Sequence, residues 1–528
     1  MNNHLYLDNS SKMVSSFIAV LSGQWATYAI AVLSTAFITR SLGPEDFAKF
    51  IQLQFLLGIF TTIGLSISSG VTRYVAEYAA KDEMQRAAGV LKTSFKVTAI
   101  IGVIISIIMI LFSKPLASIF IGDSNKAGCI EILAIAAGLT EAISPFYAYA
   151  YGRQKFKVYA LLSVMSFAFM RSGVVLALRL GAGLYGLSWA WLIASILTSF
   201  TIAIPVLRMA GRGGSFNLSQ LLSYSMPLIA SVYLAYLLQW VDSILVPHAG
   251  SMSLLAMTSI AMSLVNVSLV LLNSISTVLF THLVEIDVIQ GRDALVNAGY
   301  NLSRLLFYCF IPFGFFVGSI SNLLIFLYAG EAFSQASLML KLLSPFMTAN
   351  AVIFIIWYNE VTAIGKTRLL LLNTIVSLTA YLIIGFILVP LLGVVGYILT
   401  KVLNGIIIFP YILSRTKKSL IIRFDFRALS MSALVSMIII APSILIGNLT
   451  SDYLLTTSIS LIGLVCYAFI VIKFSLLTKD EVRIILKVVM RSFRLERQMI
   501  SIINIITKSQ ESQRESNDSG RDARIVAT

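Results

Sequence analysis

Charge is what this chain has least of. Asp, Glu, Lys and Arg together make up 12% of its 528 residues, against about 25% in a soluble globular protein, which excludes an ordinary soluble fold. Histidine is nearly missing: His4, His248 and His282 are the whole set, so no HExxH metal site can be built. The three cysteines, Cys129, Cys309 and Cys466, lie in or beside apolar runs at unrelated spacing. They form neither a disulfide frame nor a zinc motif and read as packing residues. Gly365-Lys366-Thr367 has the ending of a phosphate-binding loop, but Glu360 stands where that loop requires its first glycine. No catalytic residue, metal ligand set or cofactor is therefore expected. The loops between apolar runs are short, at most about fifteen residues on the outer side and about 24 on the other (71–93 and 281–304). They leave no room for a coupled ATPase domain, or for the larger extracytoplasmic domain of a glycan polymerase or ligase.

What the chain has instead is apolar length. Hydrophobic residues make up 58% of it and mean hydropathy is +0.89. A membrane-spanning helix needs roughly 20 mostly apolar residues. Such runs occur near 14–38, 48–70, 94–112, 129–149, 158–178, 185–206, 224–246, 254–280, 305–327, 336–358, 369–391, 394–413, 429–447 and 453–473. Lipid cannot hydrogen-bond a backbone, so only helices or closed barrels cross it. Barrel strands alternate apolar and polar residues, whereas runs such as Ile100 to Phe112 are continuously apolar. The fold class is all-α integral membrane, with about 14 transmembrane helices. The first run is too long for a signal peptide, lacks a basic leader and is followed by further spans.

The basic residues give an orientation. With the N-terminus inside, the cytoplasmic segments hold 31 of the 39 Lys and Arg, the outer loops about six, and Arg171 and Lys401 fall within spans. Positive residues collect on the cytoplasmic side, so the protein is expected in the cell (plasma) membrane with both termini cytoplasmic. The net charge of +15 then reflects topology and contact with anionic membrane lipids. Nucleic acid is not an expected partner, because there is no basic soluble domain.

The chain also repeats itself. Gly152-Arg153-Gln154-Lys155 follows the fourth run and Gly365-Lys366-Thr367-Arg368 the tenth. Gly183-Leu184-Tyr185-Gly186 opens the sixth and Gly393-Val394-Val395-Gly396 the twelfth; Ile121-Gly122-Asp123 precedes the fourth and Ala329-Gly330-Glu331 the tenth. The same loop signals in the same order imply two six-helix lobes with a site between them. The expected organisation is a cytoplasmic segment 1–13, an N-lobe 14–206, a C-lobe 207–413, two extra C-terminal helices in 414–475 and a cytoplasmic tail 476–528. Within that tail, 479–506 has helical spacing of basic and apolar residues suited to the membrane surface. The stretch after Lys508 is polar and expected to be disordered.

Arg40-Ser41-Leu42-Gly43-Pro44-Glu45-Asp46-Phe47 after the first span, Gly64-Leu65 leading to Arg73-Tyr74-Val75-Ala76-Glu77-Tyr78, the Gly152 and Gly183 segments, and Asp242 near the outer end of the seventh span form an ordered set. In these the chain resembles the Wzx-like polysaccharide and lipid-linked oligosaccharide flippases of the MOP superfamily, which also holds MATE exporters and lipid II flippases. The likeness runs over about residues 14–475, with Ala48 where that family commonly has glycine. It implies two lobes in a V around a central cavity and alternating access. It also implies transfer of a lipid-linked oligosaccharide or polysaccharide repeat unit to the outer leaflet. The partners implied are a polyprenyl-linked glycan and glycan assembly proteins. A MATE-type exporter of small cations shares the fold and is the first alternative; a membrane glycan polymerase is the second.

Such a substrate carries an anionic pyrophosphate, which needs cations inside the membrane. Arg171 lies about 10 Å, and Lys401 about 12 Å, from the outer ends of their spans, at ~1.5 Å per residue. One falls in each lobe. They read either as a cationic pair for the pyrophosphate or as structural charges, Arg171 pairing with Glu141 on the neighbouring span. Arg40 is a third candidate, though its place at a helix end also suits snorkelling. Asp242 reads as an ion-coupling or a capping residue, and Glu141 as ion-coupling or structural.

Overall fold

Among the described residues every regular element is helical, as a chain without water to hydrogen-bond its backbone must be. The computed structural model describes residues 2–211, 213–417, 422–449 and 452–474. The tail expected to be amphipathic and then disordered lies outside them. The first half comprises α1 (Asn2–Ala80), α2 (Met84–Leu111), α3 (Ser113–Phe120), α4 (Ala127–Gly152), α5 (Phe156–Arg179) and α6 (Gly183–Ala210). The second comprises α7 (Leu218–Gln239), α8 (Val241–Ala249), α9 (Met252–Gln290), α10 (Arg292–Ser319), α11 (Ser321–Tyr328), α12 (Ala336–Ala363) and α13 (Thr367–Thr416). Two more follow, α14 (Phe426–Leu449) and α15 (Tyr453–Lys473).

Among the described residues, ten helices are long and apolar enough to cross a membrane. Two of these are helical hairpins rather than rods: α1 turns at Gly43 (φ 69°, ψ 178°) and α13 at Gly393 (φ 55°, ψ −121°). Shorter apolar stretches at Met252–Val267 and Phe426–Ile440 complete the set. The arrangement is compatible with the fourteen passes read from the sequence.

The repeat is visible in the backbone. In each half a long helix is followed by a short one, α3 or α11, then a positive-φ glycine, Gly122 or Gly330, then a 3₁₀ turn and the next long helix. Packing repeats as well. In the first half α2 meets α4 at Gly102 and Gly138, where a Cβ on either would fall 2.4 or 2.6 Å from the other's carbonyl oxygen. In the second, α10 meets α12 at Gly314, whose carbonyl accepts a hydrogen bond from Ser344 Oγ at 2.9 Å. Small residues let backbones approach where lipid supplies no hydrophobic drive for association. The outward faces, such as Ile100, Val103, Ile104 and Ile107 on α2, are exposed and apolar, which suits contact with lipid tails.

The bundle has two distinct ends. The basic-loop end carries the α1–α2 and α4–α5 turns with Lys81, Arg153 and Lys155; the opposite end carries the Gly43 and Gly393 turns.

Candidate functional site

In the second half, Asp242 and Lys401 come together. Helix α7 stops at Trp240 (φ −106°, ψ 17°) and α8 restarts at Val241, so Asp242 sits in the first turn of a helix, where the dipole favours a carboxylate. The α13 hairpin brings Tyr381 on one leg beside Tyr397 and Lys401, four residues apart on the other. Lys401 Nζ lies 3.0 Å from an Asp242 oxygen. Tyr381 and Tyr397 each donate a hydroxyl to the same carboxylate, at 2.6 and 3.0 Å. The ammonium also stands over both rings, 4.5 and 5.5 Å from their centroids. Both side chains of the pair are mostly buried (14% and 18% exposed). The cluster is internally neutral, which keeps the cost of holding two charges in apolar surroundings low.

In the first half, Arg171 has no such partner. Its guanidinium stacks over Phe167, 5.1 Å from the ring centroid, and its buried Nε lacks a hydrogen bond. The phenol of Tyr328, on α11 of the other half, is an electrostatic neighbour. The pairing with Glu141 considered from sequence does not form. Glu141 is fully buried and its Oε2 accepts the Gly64 backbone N–H at 3.0 Å. The structure therefore sets Arg171 and Lys401 in different circumstances, one unpaired and one satisfied.

Arg40 spans a seam between the halves at the opposite end. Its Nη2 donates to the carbonyls of Phe326 and Leu327 at 2.9 and 2.8 Å, the last carbonyls of α11, where helices leave acceptors free for a cation. Thr39 donates to the Tyr328 carbonyl at 3.2 Å. Gln52 donates to the Ser243 carbonyl at 2.9 Å. Phe47 meets Phe333 edge to face, with centroids 6.0 Å apart. The first and second halves are thus joined at this end by directional side-chain contacts as well as by the apolar cluster they share.

Inside the first half lies a cavity of about 640 Å³, within the ~300–1,000 Å³ range of small-ligand sites. It is walled by α1, α4, α5 and α6. On α1 its polar lining is Thr61, Ser68, Ser69 and Thr72; on α4 it is Thr140, Ser144, Tyr147 and Tyr151. Tyr159, Ser163 and Ser166 come from α5, and Trp191, Ser195 and Thr198 from α6. No charged side chain lines it. From Leu57 to Thr72 the cavity follows α1 for about 22 Å, at ~1.5 Å per residue. Tyr151 and Tyr159 mark its basic-loop end, and Met170 and Trp191 its far end. Trp191 stacks on Phe50 (centroids 5.4 Å, planes 5° apart), and Phe50 stacks on Phe47 at 6.0 Å. An aromatic chain therefore leads from the end of the cavity to the seam at Phe333.

Sequence reasoning passed over this cavity. A signal was present: hydroxyl and aromatic positions 140, 144, 147 and 151 recur at steps of four, three and four, a polar stripe along one helix face. Polar residues that carry no charge do not stand out in an apolar span. Among the described residues there is no group of three His, Cys, Asp or Glu able to hold a metal.

The polysaccharide biosynthesis protein family matches residues 13–286, just over half the chain. Stage V sporulation protein B of Bacillus subtilis (strain 168) is 22% identical over 518 residues, covering 88% of this chain and 96% of that protein. Among solved structures, the lipid II flippase MurJ in an inward closed conformation superposes with a TM-score of 0.67 at 16% identity, over 86% of this chain and 99% of that one. A multidrug resistance MATE family transporter of the MOP superfamily, inward-facing, gives 0.62 at 15% identity, over 74% and 94%. At these identities the two structures speak to the fold.

Proposed function

Since this chain belongs to the polysaccharide biosynthesis protein family and has the fold of the MOP superfamily, we propose that it is a flippase for a lipid-linked oligosaccharide or polysaccharide repeat unit. The polyprenyl tail stays in lipid while the pyrophosphate and glycan cross between the lobes. Transfer runs from the cytoplasmic to the outer leaflet of the plasma membrane, with both termini and the basic loops in the cytoplasm.

The observation that carries this reading is the seam. At one end, Arg40, Thr39, Gln52 and Phe47 tie the first half to the second through directional contacts, beside an apolar cluster that runs through both halves. Alternating access needs a closure that can be released, and directional polar contacts between the halves supply one. Arg171, unpaired and stacked over Phe167, has the Tyr328 phenol of the other half as an electrostatic neighbour and serves as the cation that meets the pyrophosphate. Lys401 is engaged by Asp242 and acts in holding α8 to α13. The MATE-type alternative gains nothing from the cavity, which offers a cation no carboxylate.

The test is depletion in the native cell, with lipid-linked glycan followed by an oxidant that cannot cross the membrane. The expected result is accumulation of glycan protected from the oxidant, reversed by re-expression. Unchanged export of the glycan after depletion would overturn the reading.

A further inference from the structure

We infer that the cavity inside the first half is a sugar site, and that it takes uncharged sugar rings of the headgroup while the pyrophosphate remains outside it. The inference rests on the flippase reading and adds where the glycan goes and what kind it is.

The polar groups of the wall are the first argument. Thr61, Ser69, Thr140 and Ser163 give their protons to carbonyls of their own helices, which leaves their hydroxyl oxygens as acceptors; Ser166 does the same and is hydrogen-bonded to the Tyr147 hydroxyl. Three further polar atoms of lining residues are buried and have no protein partner: Ser68 Oγ, Ser144 Oγ and Trp191 Nε1. Trp191 is 3% exposed, and its ring is fixed by the stack on Phe50, so its N–H is held in place. A buried donor without a partner is costly. A sugar ring bears hydroxyls that both donate and accept, and so can serve the acceptors and the free donor together.

Shape is the second argument. Tyr147, Tyr151 and Tyr159 bring aromatic surface to the wall, and the C–H face of a sugar ring lies flat on such surfaces as an apolar plate. Charge is the third. With no cation in the lining, a uronate or phosphate placed there would lose its hydration without compensation. Cations lie beyond both ends of the cavity: Arg153 and Lys155 follow Tyr151 in the chain at the basic-loop end, and Arg171 stacks over the lining residue Phe167 toward the other. The phosphates of a lipid-linked glycan meet the first two on entry and Arg171 near the seam, while the sugars occupy the cavity.

The test compares three probes on the full-length protein in lipid nanodiscs. They are bare polyprenyl diphosphate, the same lipid bearing a neutral hexose disaccharide, and the same lipid bearing a disaccharide with one uronate. Wild-type protein is expected to bind the neutral glycolipid most tightly, and the uronate-bearing one no better than the bare lipid. A triple variant, Ser68→Ala, Ser144→Ala and Trp191→Phe, removes the three unpartnered polar atoms and keeps an aromatic ring against Phe50, though a smaller one than the indole. It should lose at least about tenfold in affinity for the neutral glycolipid and none for the bare lipid. Equal loss for both lipids, or no loss for either, would overturn the sugar site. Tightest wild-type binding of the uronate form would overturn its preference for neutral rings. Failure of the wild type to bind any of the three would instead overturn the flippase reading, and this inference with it.

Discussion

Lys401 Nζ lies 3.0 Å from an Asp242 carboxylate oxygen, joining helices whose contact is 159 residues long in sequence. Breaking one side of such a pair strands a charge in apolar surroundings, at a cost of about 3–5 kcal/mol. Lys401→Met should therefore lower both membrane level and thermal unfolding temperature. Lys401→Met combined with Asp242→Asn should recover most of each, because neither charge remains. If Lys401→Met is fully stable yet inactive, the lysine has a role in transport that the pair does not explain.

Arg171 gives the contrasting expectation. With no ion pair to Glu141, Arg171→Ala should leave the protein folded and inserted while transport falls. Arg171→Lys should rescue part of it, since a guanidinium holds phosphate oxygens in a fixed fork and an ammonium does not. Adding Glu141→Ala should bring no recovery, the two effects combining as independent changes. Restored transport in that double variant would show that the two residues balance each other after all.

The seam can be loosened by itself. Hydrogen bonds to a charged group contribute about 1.5–3 kcal/mol, so Arg40→Ala should shift the closed arrangement toward opening by roughly tenfold or more. With cysteine at Tyr328 as reporter, labelling by an impermeant thiol reagent from the opposite side should rise by a similar factor. Unchanged labelling would mean that Arg40 does not hold the seam closed.

Orientation has its own check. Cysteines at Lys81 and Arg415 should resist impermeant thiol reagents on intact cells, and one at Asp123 should react. Labelling at Lys81 would reverse the assignment of the basic loops to the cytoplasm.

The fold was legible because lipid demands long apolar helices, and because the turn signals at Gly122 and Gly330, and at Gly183 and Gly393, recur in order; all four have positive φ. Less legible were the features set by geometry across the chain. Matched depth suggested that Arg171 and Lys401 formed one cationic pair, but depth along a helix says nothing of the direction a side chain takes around it. Lys401 turns to Asp242, while Arg171 stacks over Phe167. Arg40 had the sequence signature of a snorkelling end residue, and only the position of α11 reveals the carbonyls it meets. The cavity escaped notice because serine, threonine and tyrosine blend into apolar spans.

The most direct measurement is leaflet transfer in liposomes that contain only the purified full-length protein and a fluorescent lipid-linked glycan. Fluorophores on the outer leaflet are bleached by an impermeant reductant, and the fraction that remains protected is followed with time. Wild-type protein should make the inner-leaflet glycolipid accessible far faster than protein-free liposomes do, and Arg171→Ala at equal protein content should be markedly slower. Protection that persists in wild-type liposomes as it does in protein-free ones would contradict the claim that this chain moves a lipid-linked glycan.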